Sequence, residues 1–467
     1  MSTVAEWVGV LGRERARPDR LREWPHAWWL AVGTVCFGAF MGQLDASIVT
    51  LIYRPLRVEF HAALAGVQWV SLSYLLALTA LLIPVGRLAD IHGRKLIYLY
   101  GFVVFTVMSA LCGLAPSLGM LIGARVAQAI GAAMLQANSV ALVVTSAPAH
   151  RMRTALGIQA GAQAIGLALG PTVGGLLVST LGWRWVFGIN IPVGVLGVVA
   201  GIYLLPRTRR RAPTAALDRS GLLLLATATT SLLLGISVVS GLSLPSWVAI
   251  VLPGLSALAA VGFVLRQRRA AAPLVQLALL RTRAVSAGLL GALCGYLVLF
   301  GPLVLIPVVL TDGGHSELHA GLVLTALPAG FALAAVGAER LLPRSWTDRA
   351  RATLGAALSI AVLTGLLAAL PTTGWLVTLL ALLGVALGTF TPANNTMVMG
   401  SIPVQFAATG GGLVNMTRSL GTALGVALVT LALSLGIGGH HILDGPRAAV
   451  LVLAFAAALT LLSARLA

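Results

Sequence analysis

The sequence predicts an all-α polytopic membrane protein of fourteen transmembrane helices, built as two six-helix halves with two inserted central helices. Three observations carry that prediction. The 467 residues are 58% hydrophobic and 9% charged, with a mean hydropathy of +0.97, far more apolar than a soluble domain. Apolar runs of about 20 residues, the length that crosses a bilayer, recur from end to end. Of the 31 basic residues, only Arg54, Arg57, Arg184 and Arg447 fall in one alternating set of loops and only Arg125 and Arg418 inside spans; the rest crowd the other set. This is the positive-inside pattern, and it places both termini in the cytoplasm. It also accounts for the net charge of +18 with a lipid bilayer, and no nucleic acid, as the partner.

In chain order, residues 1–27 form a basic cytoplasmic tail with Arg13, Arg15, Arg17, Arg20 and Arg22. The run after it is too long and too Trp-rich for a signal-peptide core, so the tail is expected to be retained. Spans 1 to 6 cover 28–52, 67–89, 96–115, 118–145, 154–180 and 186–205, giving an N-terminal half of 28–205. Residues 206–283 hold two basic linkers around span 7 (221–240) and span 8 (246–265), whose near lack of polar side chains suggests lipid-facing additions. Spans 9 to 14 cover 284–310, 320–337, 352–370, 374–398, 406–435 and 447–465, within a C-terminal half of 284–467.

Other chemistries find little support. Cys36, Cys112 and Cys294 all lie in apolar runs, so no disulfide framework is indicated. His315 and His319 in one loop, and His440 and His441 in another, need no metal to explain them. No phosphate-cradling Gly-Lys-Ser/Thr loop is present, which argues against a nucleotide-driven machine. Lys95 is the sole lysine, a bias that fits a GC-rich bacterial genome, and the expected location is the bacterial inner membrane.

The polar residues inside spans carry the functional signal. Asp45 is the one acidic residue well within a span, and a charge there is costly unless it finds a partner, water or a proton. It lies about two turns before the end of span 1, and Arg125 about two turns after the start of span 4, so both sit roughly 10 Å below the same surface. A pair, direct or water-bridged, is expected. Burial favours a neutral carboxyl and a neighbouring guanidinium an ionised one, so movement of the arginine would load or release a proton. Helical spacing groups Met41 with Asp45 on span 1, Gln128 and Gln136 with Arg125 on span 4, and Asn415 with Arg418 on span 13. These faces are expected to line a shared polar cavity.

Span 5 contains QAGAQAIGLALGPTVGG, in which Gln159, Gln163, Gly166, Gly170 and Gly174 form one stripe, with Pro171 and Gly175 beside it. Small residues let helix backbones approach closely in lipid. Span 13 (SLGTALGVAL) echoes it at the matching place in the second half, as in transporters built from repeats. Between spans 2 and 3, GRLADIHGRK holds Gly86, Asp90, Gly93, Arg94 and Lys95, where two glycines are expected to allow a tight turn.

Taken together, these residues resemble the major facilitator superfamily, and within it the fourteen-span drug:proton antiporters. GRLADIHGRK is similar to the superfamily's loop signature, Gly-x-Leu-Ala-Asp-x-x-Gly-Arg-Lys. LDASIVT (44–50) resembles the span 1 motif, RVAQAIGAA (125–133) the span 4 motif with Ala129 at a usual glycine, and GLALGPTVGG the antiporter motif. WRWVFGINIPVG (183–194) resembles the branch's outer loop into span 6, and NMTRSLGTALGVAL (415–428) its span 13 sequence. Tyr53 and Arg54 depart from the branch's small apolar residues, and the second half's loop, 339–351, is degenerate. The resemblance implies a proton-coupled exporter of hydrophobic or amphiphilic small molecules, such as drugs or antibiotics, and no enzyme. Asp45 and Arg125 would couple protons, the first loop would act as a conformational latch, and Gly166, Gly170, Pro171, Gly174 and Gly175 would form a rocking seam. The partners implied are a small-molecule substrate and protons, with no cofactor beyond the proton gradient and a monomeric state. The alternative is a dedicated exporter of an endogenous metabolite or lipid-like compound.

Overall fold

The computed structural model describes residues 14, 17, 18, 24, 26–148, 151–208, 218–240, 242, 244, 245, 247–270, 273–275, 277–341, 343, 345–369, 373–402, 407–436 and 444–467. Most of the basic tail, much of the first linker, His440, His441 and the side chain of Asp90 lie outside that description. Among the described residues, 14 helices are long and apolar enough to cross a membrane.

The first six are α1 (Ala27–Ile48), α2 (Trp69–His92), α3 (Arg94–Gly113), α4 (Leu118–Ser146), α5 (Met152–Thr180) and α6 (Asn190–Leu204). The next two are α7 (Arg219–Val239) and α8 (Val248–Arg269). The last six are α9 (Arg283–Asp312), α10 (Glu317–Leu341), α11 (Asp348–Ala369), α12 (Thr373–Gly400), α13 (Ala407–Gly436) and α14 (Gly445–Leu466).

Three boundaries differ from the sequence-based ones, each for a local reason. The first span does not stop at Ile52. It tightens into a 3-10 turn over Val49–Ile52 and resumes as a helix over Tyr53–Glu59, where the Tyr53 hydroxyl donates to Ser71 Oγ at 2.8 Å. The sixth span is two pieces, Trp185–Gly188 and α6, joined at Ile189. The turn between α2 and α3 is narrower than expected. Gly86 lies inside α2, where it packs toward Ala137 of α4, and the turn is made by Gly93 alone, at φ 106°. That conformation strains any residue with a Cβ.

Packing sorts the helices. Helix α1 lies on α4, α5 and α6, α3 on α4 and α6, and α2 on α4. Helix α9 lies on α10, α12, α13 and α14, α10 on α12, and α11 on α12 and α14. The two groups meet where α5 crosses α10 and α2 crosses α13. Helices α7 and α8 pack on each other, and α7 touches α2 and α13. The most apolar window of α8 is only 6% buried, against 78% for α9, so α8 offers nearly its whole surface to lipid. Polar clips fix this pair at both ends. The Gln68 amide donates to Ser237 Oγ at 2.9 Å. Asp218 caps α7 and accepts from Arg266 and Gln267 of α8, each at 2.9 Å. Burial opposes ionisation of Asp218, but bonds from the Gly221 N–H, Arg266 and Gln267 outweigh it and hold the carboxyl below its usual range.

Without a hydrophobic drive between helices in lipid, close backbone contact supplies much of the attraction. Gly166, Gly170 and Gly174 of α5 lie against Phe40, Ser47 and Ile48 of α1. Gly421 and Gly425 of α13 lie against Leu293 and Leu297 of α9, the same relation in the other group. In the α3–α4 contact, a Cβ on Gly131 would stand 2.5 Å from the Phe105 nitrogen. Gly131→Val therefore has to spread α3 from α4. The expected loss is about 1–3 kcal/mol, read as a lower unfolding midpoint in lipid nanodiscs, against no change for Gly33→Ala, where a Cβ meets open space.

Candidate functional site

The site begins with one carboxylate. Asp45 stands on α1 one turn before the 3-10 segment and is 0% exposed. Arg125 of α4, 1% exposed, donates from Nη1 to Asp45 Oδ2 at 2.7 Å. The other oxygen, Oδ1, accepts from Gln128 Nε2 at 3.3 Å and from Asn190 Nδ2 of α6 at 3.2 Å. Arg125 also donates to Gln128 Oε1 at 2.5 Å and, from Nε, to the Val70 carbonyl of α2 at 3.0 Å. Its guanidinium lies 4.1 Å from the centre of the Tyr74 ring. Gln128 donates in turn to Ser109 Oγ of α3 at 2.7 Å. Five helices thus contribute to one buried charge cluster. Coulomb attraction in a low dielectric is strong there, but so is the cost of desolvation, and the added hydrogen bonds make such a pair tolerable.

The expected pair is therefore direct, with no water needed between its members. Three residues expected to line a cavity, Gln128, Met41 and Gln159, are buried in this conformation. Gln128 is 0% exposed and serves as the second partner of both charges, because its helix turn brings it under Arg125. Met41, also 0% exposed, belongs to the apolar core, since α1 is covered by α4, α5 and α6. Gln136 is half-buried and faces Gly42, Gln159 donates to Ser139 Oγ at 3.0 Å, and Gln163 is half-buried. Asn415 and Arg418 are half-buried on α13, in the other group, with Arg418 Nη1 3.5 Å from Asn415 Oδ1.

The span 5 glycines divide into two sets. The stripe of Gly166, Gly170 and Gly174 seals α5 to α1 inside one group, so it is not the surface between groups. That surface belongs to the neighbouring face. A Cβ on Gly175 would stand 2.6 Å from the Glu317 carbonyl oxygen, and Gly321 of α10 packs on the Pro171 carbonyl. Thr172 and Thr325 share a hydrogen bond at 2.5 Å. Arg54 Nη1 lies 3.3 Å from Glu317 Oε1 and Arg57 Nη1 3.9 Å from Asp312 Oδ1. All these contacts lie toward the arginine-poor face.

On the opposite face, Lys95 is 0% exposed. Its ammonium donates to the carbonyls of Ile202 at 2.9 Å and Leu205 at 2.7 Å. A cation there satisfies the open carbonyls of the α6 C-terminus and suits its dipole. The Lys95 N–H donates to Thr208 Oγ1 at 2.9 Å, and Thr208 donates to both oxygens of Glu14, in the tail, whose carboxylate lies over Gly93. The described contacts of Lys95 thus tie α3 to the α6 end and the tail, within one group.

Sequence reasoning missed Asn190, Tyr74 and Ser109. Their signal was available as a satisfaction rule, since a buried carboxylate needs more acceptances than one arginine supplies. Removing one charge leaves the other unpaired. Arg125→Met is expected to lower stability by about 3–5 kcal/mol, and adding Asp45→Asn to recover at least half of that, read from unfolding of the single and double variants in nanodiscs.

Comparison with known proteins agrees with this architecture. The chain is 30% identical over 410 residues to the riboflavin transporter RibZ of Clostridioides difficile, covering 85% of this chain and 87% of that one. It is 31% identical over 427 residues to the tetracenomycin C resistance and export protein of Streptomyces glaucescens, covering 90% and 77%. The crystal structure of a bacterial homologue of the human lysosomal transporter Spinster shares the fold, with a TM-score of 0.64 at 16% identity over 94% of this chain and 97% of that one. The profile of the Major Facilitator Superfamily matches residues 35–426, and the chain belongs to that family of transporters.

Proposed function

We propose that the protein is a proton-coupled antiporter of the bacterial inner membrane that exports hydrophobic or amphiphilic small molecules, with both termini cytoplasmic and no cofactor beyond the proton gradient. The observation that carries this reading is the Asp45–Arg125 pair, enclosed in the membrane and closed to water. The relatives named above add support, one being a resistance and export protein.

The mechanism follows from the pair's surroundings. With Arg125 in place, the two Asp45 oxygens accept hydrogen bonds from three donors. A proton on Asp45 cancels the attraction, and Arg125 then keeps Gln128 and the Val70 carbonyl as partners. A closed site exchanges protons only when its helices part, so protonation is linked to the change of access. The contacts on the arginine-poor face, which the positive-inside pattern makes the outer one, hold the outside shut in this conformation. Opening outward has to separate Gly175 from Glu317 and Gly321 from Pro171, while Gly166, Gly170 and Gly174 stay on α1. The loop of Gly86, Asp90, Gly93, Arg94 and Lys95 is the latch that the resemblance implies, with Lys95 tied to the α6 end, and a monomer suffices for this cycle. A dedicated exporter of an endogenous metabolite is the second reading, favoured by the comparable similarity to a riboflavin transporter.

In proteoliposomes with a pH dye inside, wild-type protein is expected to release protons on addition of a compound to which it gives resistance in cells. Asp45→Asn should lose both the release and the proton-driven exchange. Full exchange with proton release in Asp45→Asn would remove Asp45 from this role. With Cys36, Cys112 and Cys294 replaced by serine, Thr325→Cys is expected to react severalfold faster with an outside maleimide when Gly175→Leu is added, because the outer contact no longer closes.

A further inference from the structure

Arg418 is a cation without a counter-charge. It stands about three turns into α13 and about five from its other end, deep within the span. No carboxylate is within ion-pair distance of it among the described residues. Among the described residues its side chain has one hydrogen bond, the long contact to the neutral Asn415, and its buried Nε has no partner. The acidic residues of the second group, Asp312, Glu317, Glu339, Asp348 and Asp444, all stand in the first or last turn of a helix or at its cap. Asp45 has both oxygens taken by Arg125, Gln128 and Asn190.

The same arc of α13 carries Asn415, Thr422 and the two glycines that hold it to α9, so the guanidinium is directed along the α9–α13 seam, away from lipid, where a mid-span charge is costly. There it meets an aromatic wall. The guanidinium lies 5.1 Å from the centre of the Tyr296 ring, and Tyr296 stacks with Phe300 at 6.2 Å and an interplanar angle of 16°. Tyr296 is half-buried, and Phe300 is buried behind it.

From this we infer that Arg418 is the docking cation for a negatively charged group on the transported molecule, and that the preferred substrate is an aromatic organic anion. A carboxylate, sulfonate, phenolate or phosphate would fill the open guanidinium N–H groups, which match planar oxyanions. A flat ring system would lie against Tyr296, with Phe300 backing it. Cationic amphiphiles would meet repulsion at Arg418 and no mid-span carboxylate in the second group to offset it. The inside-negative potential would also favour outward movement of such an anion. This inference deepens the exporter reading and rests on it.

The test uses three probes of one shape, 2-naphthoate, 2-naphthylmethanol and 2-naphthylmethylammonium, titrated against the full-length protein in nanodiscs. Naphthoate is expected to bind at least about tenfold tighter than the alcohol, a difference of one charge-assisted hydrogen bond. Arg418→Gln should erase that preference while the alcohol binds as before, and Arg418→Lys should keep part of it. Thermal unfolding of each variant shows that the fold is retained. Equal binding of the three probes by wild-type protein, preference for the ammonium, or a preference for naphthoate that survives Arg418→Gln would each overturn the inference. Proteoliposomes separate the two readings. Proton-linked movement of the ammonium alone keeps the antiporter and removes the anion site. Naphthoate that binds through Arg418 and moves without proton exchange keeps the site and removes the antiport.

Discussion

A carboxylate in a bilayer is costly unless partners satisfy it, and five of the first six helices supply the partners of one buried ion pair. Asp45 on α1 draws Arg125 and Gln128 from α4 and Asn190 from α6. Arg125 draws the Val70 carbonyl and the Tyr74 ring from α2, and Gln128 draws Ser109 from α3. The helix order around the site follows from these demands as much as from apolar packing. A cluster built this way is stable only while its geometry is kept. In the proposed antiport cycle, one proton on Asp45 would change the charge balance on which the arrangement depends.

Small residues serve two different purposes in the same helix. Gly166, Gly170 and Gly174 join α5 to α1, so that the helix bearing Asp45 and the helix forming the boundary move as one body. Pro171 and Gly175, on the adjacent face, bring α5 against α10 of the other group, beside the Thr172–Thr325 hydrogen bond. Contacts of the first kind bury little polarity and gain from permanence. Those of the second are partly polar, with a hydrogen bond and ion pairs near one face, which suits a boundary that has to open. Arg54 and Arg57 reinforce it electrostatically, but exposed ion pairs of this kind contribute modestly and weaken with salt.

The two groups differ in charge as well as in position. Within the first, the buried cation has its anion. In the second, Arg418 has Asn415 and the face of Tyr296 as its partners among the described residues. On the arginine-rich side, Lys95 closes the end of α6, and Thr208 carries the link onward to Glu14. Asp45, Arg125 and Lys95 thus each have partners on the chain, whereas no carboxylate lies beside Arg418 among the described residues.

Much of this was legible in the chain itself. Hydropathy and the alternation of arginines determined the number of helices, because lipid leaves a spanning backbone no other form and charge resists being placed in it. Equal depth also announced that Asp45 and Arg125 belong together. Depth and helical phase are local properties, so one chain read in order contains them. Tertiary structure decided what depends on rotation about a helix axis and on which neighbour arrives. It put Gln128 under the ion pair instead of in open space, assigned Asn190 to Asp45 across 145 residues of chain, and divided the span 5 glycines between a fixed face and a parting one. It also reduced the first loop to Gly93, since Gly86 is as good a helix contact as a turn residue until Ala137 is seen beside it. A polar side chain in a span says only that it needs a partner; which partner it takes is settled by packing among helices far apart in sequence.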